Sequence, residues 1–379
     1  MLFVKKVLQN IIRIIEYILL KIWPIILLFR CIQYHFKEFF RNFELFGWKK
    51  LNFDEEFGNS TICLDGKICV ITGGTRGIGR ETIKYLLQEK NISKIITGSS
   101  QLDLNSNENE IENFKQKILS ESNLLEYKDR LIIYPLNLGS MDSVMKFVEK
   151  ICKQESKIDY LICNGGVLMP ETNDDDEKET FFNKTMAINY YGHCLLIIKL
   201  LKLFHQQQKS RIIIVTSIMH QFCSINFNDL QLRQKSYSPF LSYSQSKLAS
   251  IMFTYRFNKW IENNLKSTND NDYSLTINCL HPGICRSSMI GRILPIKVPD
   301  FIWNSITRST KEGAEPILLA TLSPKLMNKS GKYYEDLWEQ KSSEISYDEN
   351  LQQKLWQQTW QDLRQWLTDD EYNRLMEYF

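Results

Sequence analysis

The chain has 379 residues, of which 43% are hydrophobic, and this is enough apolar material for one large domain with a full core. Its formal net charge of +3 is small for this length, so charge gives no support to nucleic-acid binding and no such partner is expected. The nine cysteines form no CxxC pair and the five histidines form no HExxH spacing, so no metal site is expected either.

Residues 1–45 differ from the rest, because a long apolar stretch is interrupted by charged residues at helical spacing. On a helical wheel the polar residues fall within one half-circle, and the other half is Ile, Leu, Val and aromatic. This pattern predicts a basic amphipathic helix in a membrane interface, with Tyr17 and Trp23 at the depth that these residue types favour. The polar residues are Lys5, Lys6, Gln9, Asn10, Arg13, Glu16, Lys21 and Arg30.

Other interpretations of residues 1–45 stay open. A spanning helix is the closest alternative, because the apolar stretch is nearly long enough and Lys21 could extend to the interface. A helix packed on the protein itself also agrees with the periodicity. Glu16 and the heavy Ile and Leu content disfavour a mitochondrial transit peptide, and the lack of a small-residue cleavage site disfavours a secretory signal.

Residues 46–64 are interpreted as a connector, and from there onward strand-like and helix-like patterns alternate. The alternation predicts an α/β fold with a doubly wound parallel sheet of about seven strands over residues 65–335. A helical extension is expected over 336–379, and its tryptophans are interpreted as core residues. The candidate strands are Lys67–Thr72, Lys94–Thr97, Leu131–Pro135, Ile158–Cys163, Arg211–Ser217, Ser274–Leu280 and a last one near Lys332–Tyr334.

The stretch Lys67–Leu86 predicts a strand, a glycine-rich turn and a helix in immediate succession. Glycines in such a turn adopt positive φ and let the backbone approach a ligand closely. The helix that follows directs its first N–H groups and its positive dipole end toward the turn, which suits a pyrophosphate. Strand, glycines and helix in this order are typical of dinucleotide binding by a Rossmann fold. The glycines are Gly73, Gly74, Gly77 and Gly79.

Polar side chains follow the ends of later predicted strands, at the edge where ligands bind in such sheets. The fourth strand is followed by a second glycine-bearing turn that begins at Asn164, and the fifth delivers Ser217. Tyr243 and Lys247 are four residues apart and therefore share one face of a predicted helix. A tyrosine is a poor acid or base at neutral pH, but a neighbouring ammonium favours the phenolate and lowers its pKa.

In this order, the motifs resemble those of the short-chain dehydrogenase/reductase family over roughly residues 62–340. Thr72 to Gly79 resembles the cofactor turn of the family, and His281 to Ile284 resembles the segment that closes over the nicotinamide. The stretches YSPFLSYSQSKLASIMFTY and HPGICRSSM are similar to the retinol-dehydrogenase-like branch. The residues that match the catalytic tetrad of the family are Asn189, Ser217, Tyr243 and Lys247.

The resemblance implies a role for each residue of this tetrad. Tyr243 is expected to act as general acid in reduction and as base in oxidation, and Lys247 to lower its pKa and hydrogen-bond the nicotinamide ribose. Ser217 is expected to orient the substrate carbonyl, and Asn189 to hold a proton-relay water. The cofactor-binding residues that the resemblance implies are Thr72, Gly73, Thr75, Arg76, Gly77, Ile78, Gly79, Ser99, Asn137, Asn164, Gly165, Gly166, Tyr243, Lys247, Pro282, Gly283, Ile284 and Ser287.

Two positions depart from the family pattern, and one region indicates the cofactor. Cys163 replaces the first Asn of the turn after the fourth strand, and Asn137 stands where the family usually has the Asp that contacts adenine. An acidic residue after the second strand is typical of NAD binding, but Thr97–Ser100 carries no carboxylate. Arg76 in the glycine turn can pair with a 2′-phosphate. NADP(H) is therefore the expected cofactor, and NAD(H) is the less favoured alternative.

Taken together, these features predict a membrane-bound NADP(H)-dependent oxidoreductase for a lipophilic alcohol/carbonyl pair such as a retinoid, a polyprenal or a steroid. The apolar, aromatic stretch 289–306 is expected to form a lid with an apolar inner face. The resemblance implies the endoplasmic reticulum membrane with the domain facing the cytosol, or else a mitochondrial membrane, and a homodimer or a membrane complex. The alternatives are a non-catalytic cofactor-binding scaffold and a soluble carbonyl reductase.

Overall fold

The computed structural model describes seven ranges of the chain. The predicted membrane-associated segment, the connector up to residue 61 and the predicted lid at 289–306 lie outside them. In the part of the chain that is described, no helix combines the length and the apolar character needed to cross a bilayer. The described ranges are 62–168, 182–204, 209–232, 239–265, 275–286, 307–335 and 338–377.

One eight-stranded sheet forms the centre of the molecule. Its strands are β1 (Ile68–Thr72), β2 (Lys94–Ser99), β3 (Leu131–Pro135), β4 (Tyr160–Cys163), β5 (Ser210–Val215), β6 (Leu275–His281), β7 (Lys332–Glu335) and β8 (Trp338–Gln340). Their order is β3-β2-β1-β4-β5-β6-β7-β8, and all neighbours are parallel except β7 and β8. The order reverses between β1 and β4, which is where ligands bind in open α/β sheets. The predicted doubly wound fold is confirmed.

Some predicted strand boundaries need correction. β5 ends at Val215 and not at Ser217, because the Ser217 hydroxyl accepts the Met219 N–H over 3.3 Å and caps a 3₁₀ helix, Ile218–Phe222. β4 begins at Tyr160, two residues after the predicted start. The eighth strand is absent from the predictions, since its three residues are all exposed and carry no alternation of apolar and polar residues.

Helices cover both faces of the sheet. The α-helices are α1 (Gly77–Gln88), α2 (Glu108–Ser122), α3 (Met141–Gln154), α4 (Gly192–Leu200), α5 (Pro239–Asn264), α6 (Thr310–Leu322), α7 (Glu349–Asp362) and α8 (Asp369–Met376). A short α-helical turn, Lys184–Met186, and a π-helical turn, Ala187–Tyr191, lead into α4. Asn183 caps this run by accepting two backbone N–H groups, so the run begins slightly later than the predicted start near Phe181.

The alternation of side chains along β1 divides the core into two layers. Ile68 and Val70 belong to a hydrophobic cluster that includes residues of α3, α4 and α5. Cys69 and Ile71 belong to a second cluster that includes residues of α1, α2 and α6. Because successive side chains of a strand point to opposite faces, a continuous apolar run is what a strand covered on both sides requires.

Residues 338–377, called here the C-terminal segment, pack against α5 as part of the first cluster. Trp356 and Trp360 are buried against Phe253, with ring centroids 5.8 Å and 6.1 Å away. The Trp356 indole N–H donates to the Leu375 carbonyl over 2.8 Å, which joins α7 to α8. The prediction that tryptophans of this region are core residues is confirmed at these two positions, whereas Trp338 is 42% exposed.

Candidate active site

The glycine turn lies between β1 and α1, and its backbone needs glycine at several positions. Gly73 and Gly77 have φ of +67° and +58°, a region that L side chains rarely adopt. Gly79 is required for another reason, because a Cβ there would lie 2.3 Å from the Gly73 carbonyl oxygen. The Gly74 N–H donates to the Thr97 hydroxyl over 3.1 Å and thereby ties the turn to β2.

The turn after β4 packs directly on the glycine turn. The Asn164 amide donates to the carbonyl oxygens of Thr72 and Gly73 over 3.0 Å and 3.2 Å. The Gly165 N–H donates to the Thr72 hydroxyl over 2.8 Å, and a Cβ on Gly73 would lie 2.9 Å from the Gly165 Cα. Cys163 is buried at the end of β4, so its departure from the family pattern leaves these bonds in place.

The other predicted cofactor residues lie around the start of α1 and the ends of β2 and β3. Gly77 is the first residue of α1, and a Cβ built on it meets no described atom within 4 Å apart from its chain neighbours and the backbone of its own helix, so there is room at this helix N-terminus. Arg76 is exposed just before this helix, and Ser99 is buried at the end of β2. Asn137 follows β3, and its side-chain oxygen accepts the Gly139 N–H over 2.9 Å. Of the other predicted cofactor residues here, Thr75 is buried and Ile78 is half-buried.

Asn189 lies in the π-helical turn before α4 and is buried. Its side chain bonds the N–H and the carbonyl of Val167 over 2.8 Å and 2.9 Å, and its amide also donates to the Ser246 hydroxyl of α5 over 3.0 Å. A Cβ on Gly166 would lie 3.2 Å from the Asn189 side-chain oxygen and 3.5 Å from Lys247 Nζ. Asn189 therefore joins the turn after β4 to the helix that carries Tyr243.

Three tetrad residues meet at the end of β5. Tyr243 is only 8% exposed, and the Ser217 side chain is the neighbouring polar group that favours its charged form. Lys247 lies one turn further along α5, as predicted. Its ammonium donates to the Val215 carbonyl over 2.9 Å and lies 5.6 Å from the centre of the Tyr243 ring.

Burial sets the protonation of these groups. It raises the pKa of Tyr243 to about 12 and lowers the pKa of Lys247 to about 8, because both charged forms lose water. The sequence predicts that Lys247 lowers the pKa of Tyr243. In the structure burial outweighs any such effect, and the Ser217 side chain opposes the rise in the pKa of Tyr243. At neutral pH Tyr243 is a phenol that can donate a proton, and Lys247 is mainly a cation.

The segment after β6 turns beside the start of α6. Gly283 has a φ of +87°, and a Cβ there would lie 2.6 Å from the Arg308 side chain. The Arg308 N–H donates to the Ile284 carbonyl over 2.8 Å, and Pro282 is buried. The remaining predicted residue of this segment, Ser287, lies outside the described residues.

The sequence analysis does not identify His193, which joins the glycine turn to the turn that holds Asn189. Its Nε2 lies 2.9 Å from the Thr72 hydroxyl oxygen and its Nδ1 lies 3.3 Å from the Asn189 carbonyl oxygen. A carbonyl can only accept, so Nδ1 carries the hydrogen and Nε2 of the neutral ring accepts from Thr72. Burial lowers the pKa of His193 to about 3, which keeps the ring neutral. Its spacing of four residues from Asn189 on one helix was the available signal.

Comparison with known proteins identifies the family of the chain. The sequence pattern of the short chain dehydrogenase family matches residues 67–295. Retinol dehydrogenase 14 of Mus musculus is 31% identical over 310 residues, which cover 80% of this chain and 87% of that protein. Polyprenol dehydrogenase of Homo sapiens is 29% identical over 300 residues, which cover 76% of this chain and 83% of that protein.

Solved structures share the fold. An uncharacterised protein from Mycobacterium paratuberculosis is 22% identical with a TM-score of 0.56, over 79% of this chain and 93% of that chain. A short chain dehydrogenase from Burkholderia cenocepacia in complex with NADP is 17% identical with a TM-score of 0.51, over 72% of this chain and 96% of that chain. The chain is therefore an oxidoreductase that belongs to the short-chain dehydrogenase family, in its retinol-dehydrogenase-like branch.

Proposed function

We propose that this protein interconverts an alcohol and a carbonyl on a lipophilic substrate, with NADP(H) as cofactor and Tyr243 as the acid/base. The observation that carries the proposal is the placement of Tyr243 beside Ser217 past the end of β5, with the Lys247 ammonium 5.6 Å from the centre of the Tyr243 ring. Two neighbouring hydroxyls can both donate to one carbonyl oxygen, which is where negative charge develops in the transition state of a carbonyl reduction.

In the reductive direction, the carbonyl oxygen accepts a hydrogen bond from Ser217 and a proton from Tyr243. When the cofactor is bound, its nicotinamide supplies the hydride to the carbonyl carbon. The Lys247 ammonium favours the phenolate that Tyr243 becomes, and this interaction is stronger where water is excluded. Asn189 holds the turn after β4 against α5, the helix that carries Tyr243, through its bonds to Val167 and Ser246. In the oxidative direction, Tyr243 takes the proton of the alcohol instead.

Arg76 supports NADP(H) over NAD(H). It is exposed directly before the N-terminus of α1, and β2 ends without a carboxylate that would repel a 2′-phosphate. The wild-type protein is expected to bind NADPH more tightly than NADH, and Arg76→Ala to reduce that preference by roughly 10-fold to 100-fold, as for loss of a charged hydrogen bond. Titration of both nucleotides into both proteins measures this, and an unchanged preference in the variant would refute the role of Arg76.

The names of the relatives support a lipophilic substrate, since retinol and polyprenol are both long apolar alcohols. The predicted amphipathic helix within residues 1–45 and the apolar stretch 289–306 support it as well. Flotation with liposomes is expected to carry the full chain, and to carry it much less when residues 1–45 are removed. Equal flotation of the two chains would contradict the membrane role of this segment.

The decisive test is reduction of lipid aldehydes of increasing length with NADPH. We expect wild-type turnover to favour the longer aldehydes, and Tyr243→Phe to reduce it by at least roughly 100-fold, because the acid is lost. The free energy of unfolding of the variant in urea serves as the control for folding. Turnover that survives in Tyr243→Phe would remove the acid/base assignment. A wild-type protein that binds NADPH and reduces no member of the panel would instead favour the scaffold alternative.

A further inference from the structure

His220 occupies the 3₁₀ helix that directly follows Ser217, and it is buried. Its Nδ1 lies 2.7 Å from the Ser217 carbonyl oxygen. On the other side of the ring, the Ser343 N–H donates to Nε2 over 3.1 Å. Since Nε2 accepts a hydrogen bond, the hydrogen of the neutral ring is on Nδ1, which donates it to the Ser217 carbonyl. The ring therefore accepts a hydrogen bond from the C-terminal segment and donates one to Ser217, and it links the two as a bridge.

The donor Ser343 is itself held in place by α5, the helix that carries Tyr243 and Lys247. The Ser342 hydroxyl lies 2.7 Å from the Tyr255 hydroxyl of α5 and 2.6 Å from the Ser346 hydroxyl. The Ser342 N–H donates to the Tyr347 hydroxyl over 3.1 Å. The tyrosine rings at 255 and 347 also stack, with centroids 5.1 Å apart. The position of the Ser343 N–H is therefore defined relative to the helix of the catalytic tyrosine.

The same segment also holds the turn that contains Asn189. The Tyr190 hydroxyl lies 2.7 Å from the Thr359 hydroxyl, and the Tyr191 hydroxyl donates to the Asp362 carboxylate over 2.6 Å. Both partners belong to α7. The C-terminal segment therefore contacts the elements that carry Asn189, Ser217 and Tyr243. The hydrogen bonds that hold the glycine turn come instead from Thr97, Asn164 and His193, which precede this segment.

We propose that His220 is a positioning residue for Ser217, through which the C-terminal segment sets the orientation of the catalytic serine relative to Tyr243. This inference rests on the proposed function of Ser217 and goes beyond it. Loss of the bridge should lower kcat and leave the affinity for NADPH unchanged, because the glycine turn has its own supports. Loss of a residue that only stabilises the fold would change kcat and the affinity for NADPH together.

Three substitutions of His220 distinguish the contribution of its hydrogen bond to Ser217 from that of its hydrogen bond to Ser343. The side-chain amide of Asn can replace the Nδ1 donor to Ser217, and the side-chain oxygen of Gln can replace the Nε2 acceptor for Ser343. For His220→Ala we expect kcat for a lipid aldehyde to fall roughly 10-fold to 100-fold, with the dissociation constant of NADPH unchanged. His220→Asn should recover most of the loss in kcat. His220→Gln should recover the thermal stability and not kcat.

A second pair of variants leaves the ring intact and keeps the test decisive if His220→Ala does not fold. Ser343 has a φ of −59°, which proline adopts, so the backbone accepts Ser343→Pro. This variant removes the N–H donor and puts the proline Cδ in the place of the hydrogen, which breaks the contact with His220, whereas Ser343→Ala retains the donor as the matched control. We expect Ser343→Pro to lower kcat and Ser343→Ala not to. Equal kcat in Ser343→Pro and Ser343→Ala, or wild-type kcat in His220→Ala, would overturn the inference.

Failure of the proposed function is recognised separately, because the wild-type protein then reduces no aldehyde at all. In that case deuterium exchange of the full-length chain tests the bridge. Exchange of backbone amides in residues 216–223 should be faster in His220→Ala and His220→Gln than in the wild type, and close to wild type in His220→Asn. The same exchange in all four proteins would overturn the inference.

Discussion

Gly79 is the position of the glycine turn with the least room for a side chain. A methyl group there would lie 2.3 Å from the Gly73 carbonyl oxygen and 2.6 Å from the Asn164 amide nitrogen, whereas the same group on Gly77 meets no described atom within 4 Å. We expect Gly79→Ala to lower the free energy of unfolding by roughly 3 kcal/mol, as forced overpacking does. Gly77→Ala should cost about 1 kcal/mol for its positive φ. Denaturation without cofactor compares the two, and wild-type stability of Gly79→Ala would contradict the close approach.

Deprotonation of Lys247 should limit the rate of the reductive reaction at alkaline pH. Burial lowers the pKa of Lys247 to about 8 and raises that of Tyr243 to about 12, so the ammonium is lost first as pH rises. We expect kcat/KM for the carbonyl, measured with saturating NADPH, to fall above about pH 8 while Tyr243 is still protonated. Activity that stays constant up to pH 10 would show that the charge on Lys247 is not needed.

At the scale of residues, sequence motifs predict the identity of the tetrad but not what holds it. Ser217, Tyr243 and Lys247 meet as predicted, because strand ends and helix spacing bring them to one edge of the sheet. His193 and His220 bond to backbone carbonyls, and a backbone carbonyl leaves no pattern in the sequence. The role of His220 could not be inferred before the fold was known, and only the spacing of four residues from Asn189 pointed to His193.

Among the elements, α7 is the one whose role depends most on packing. Trp356 stacks on Phe253 of α5 and donates to the Leu375 carbonyl, and it is buried. We expect Trp356→Ala to destabilise the protein by about 3–5 kcal/mol, as loss of a large core ring does. Trp338→Ala on β8 is the matched control, because Trp338 is 42% exposed and should cost no more than about 0.5 kcal/mol. Chemical denaturation distinguishes them, and equal effects would mean that α7 is not part of the core.

Elements with strong periodicity are predicted well, and those defined by local contacts are not. Strands β1 to β3 follow from their apolar runs, since burial on both faces demands such runs. The end of β5 is missed because Ser217 leaves the ladder to cap a 3₁₀ helix. The described part of α5 begins at Pro239, before the predicted start at Tyr243, so Tyr243 lies inside the helix. A short polar strand such as β8 has no signal beyond its pairing with β7.

For the whole molecule, the buried neutral histidines predict sensitivity to acid. Burial lowers the pKa values of His193, His220 and His281 to about 3, 4 and 3, below the 6.5 of an exposed ring. Between about pH 6.5 and pH 4 the unfolded chain therefore binds more protons than the folded one, so stability falls as pH falls in this window. Each ring contributes on the order of a few kcal/mol.

Urea unfolding at pH 7, 6 and 5 measures this loss. The free energy of unfolding of His220→Asn should depend less on pH than that of the wild type, because an amide does not titrate. All other titratable groups are the same in the two proteins. Equal dependence on pH in the two proteins would show that His220 is not held neutral by the fold.

The overall topology was predictable, because alternating strands and helices permit few right-handed arrangements of a parallel sheet. The return of the C-terminal segment to the tetrad was not. Tyr190 and Thr359 are 169 residues apart, and their contact depends on the surfaces that α4 and α5 present once they have packed. No local pattern around either residue specifies the other.

The contact between the C-terminal segment and the tetrad can form only at the end of synthesis. A ribosome makes the glycine turn, the turn after β4 and Tyr243 well before residues 338–377, and chains begin to fold from the N-terminal side during synthesis. During synthesis, the serine and the π-helical turn are therefore made before their supports. A message cut short before the C-terminal segment would yield a chain that lacks Trp356 and Trp360 of the first cluster, and we expect such a chain to be too unstable to accumulate.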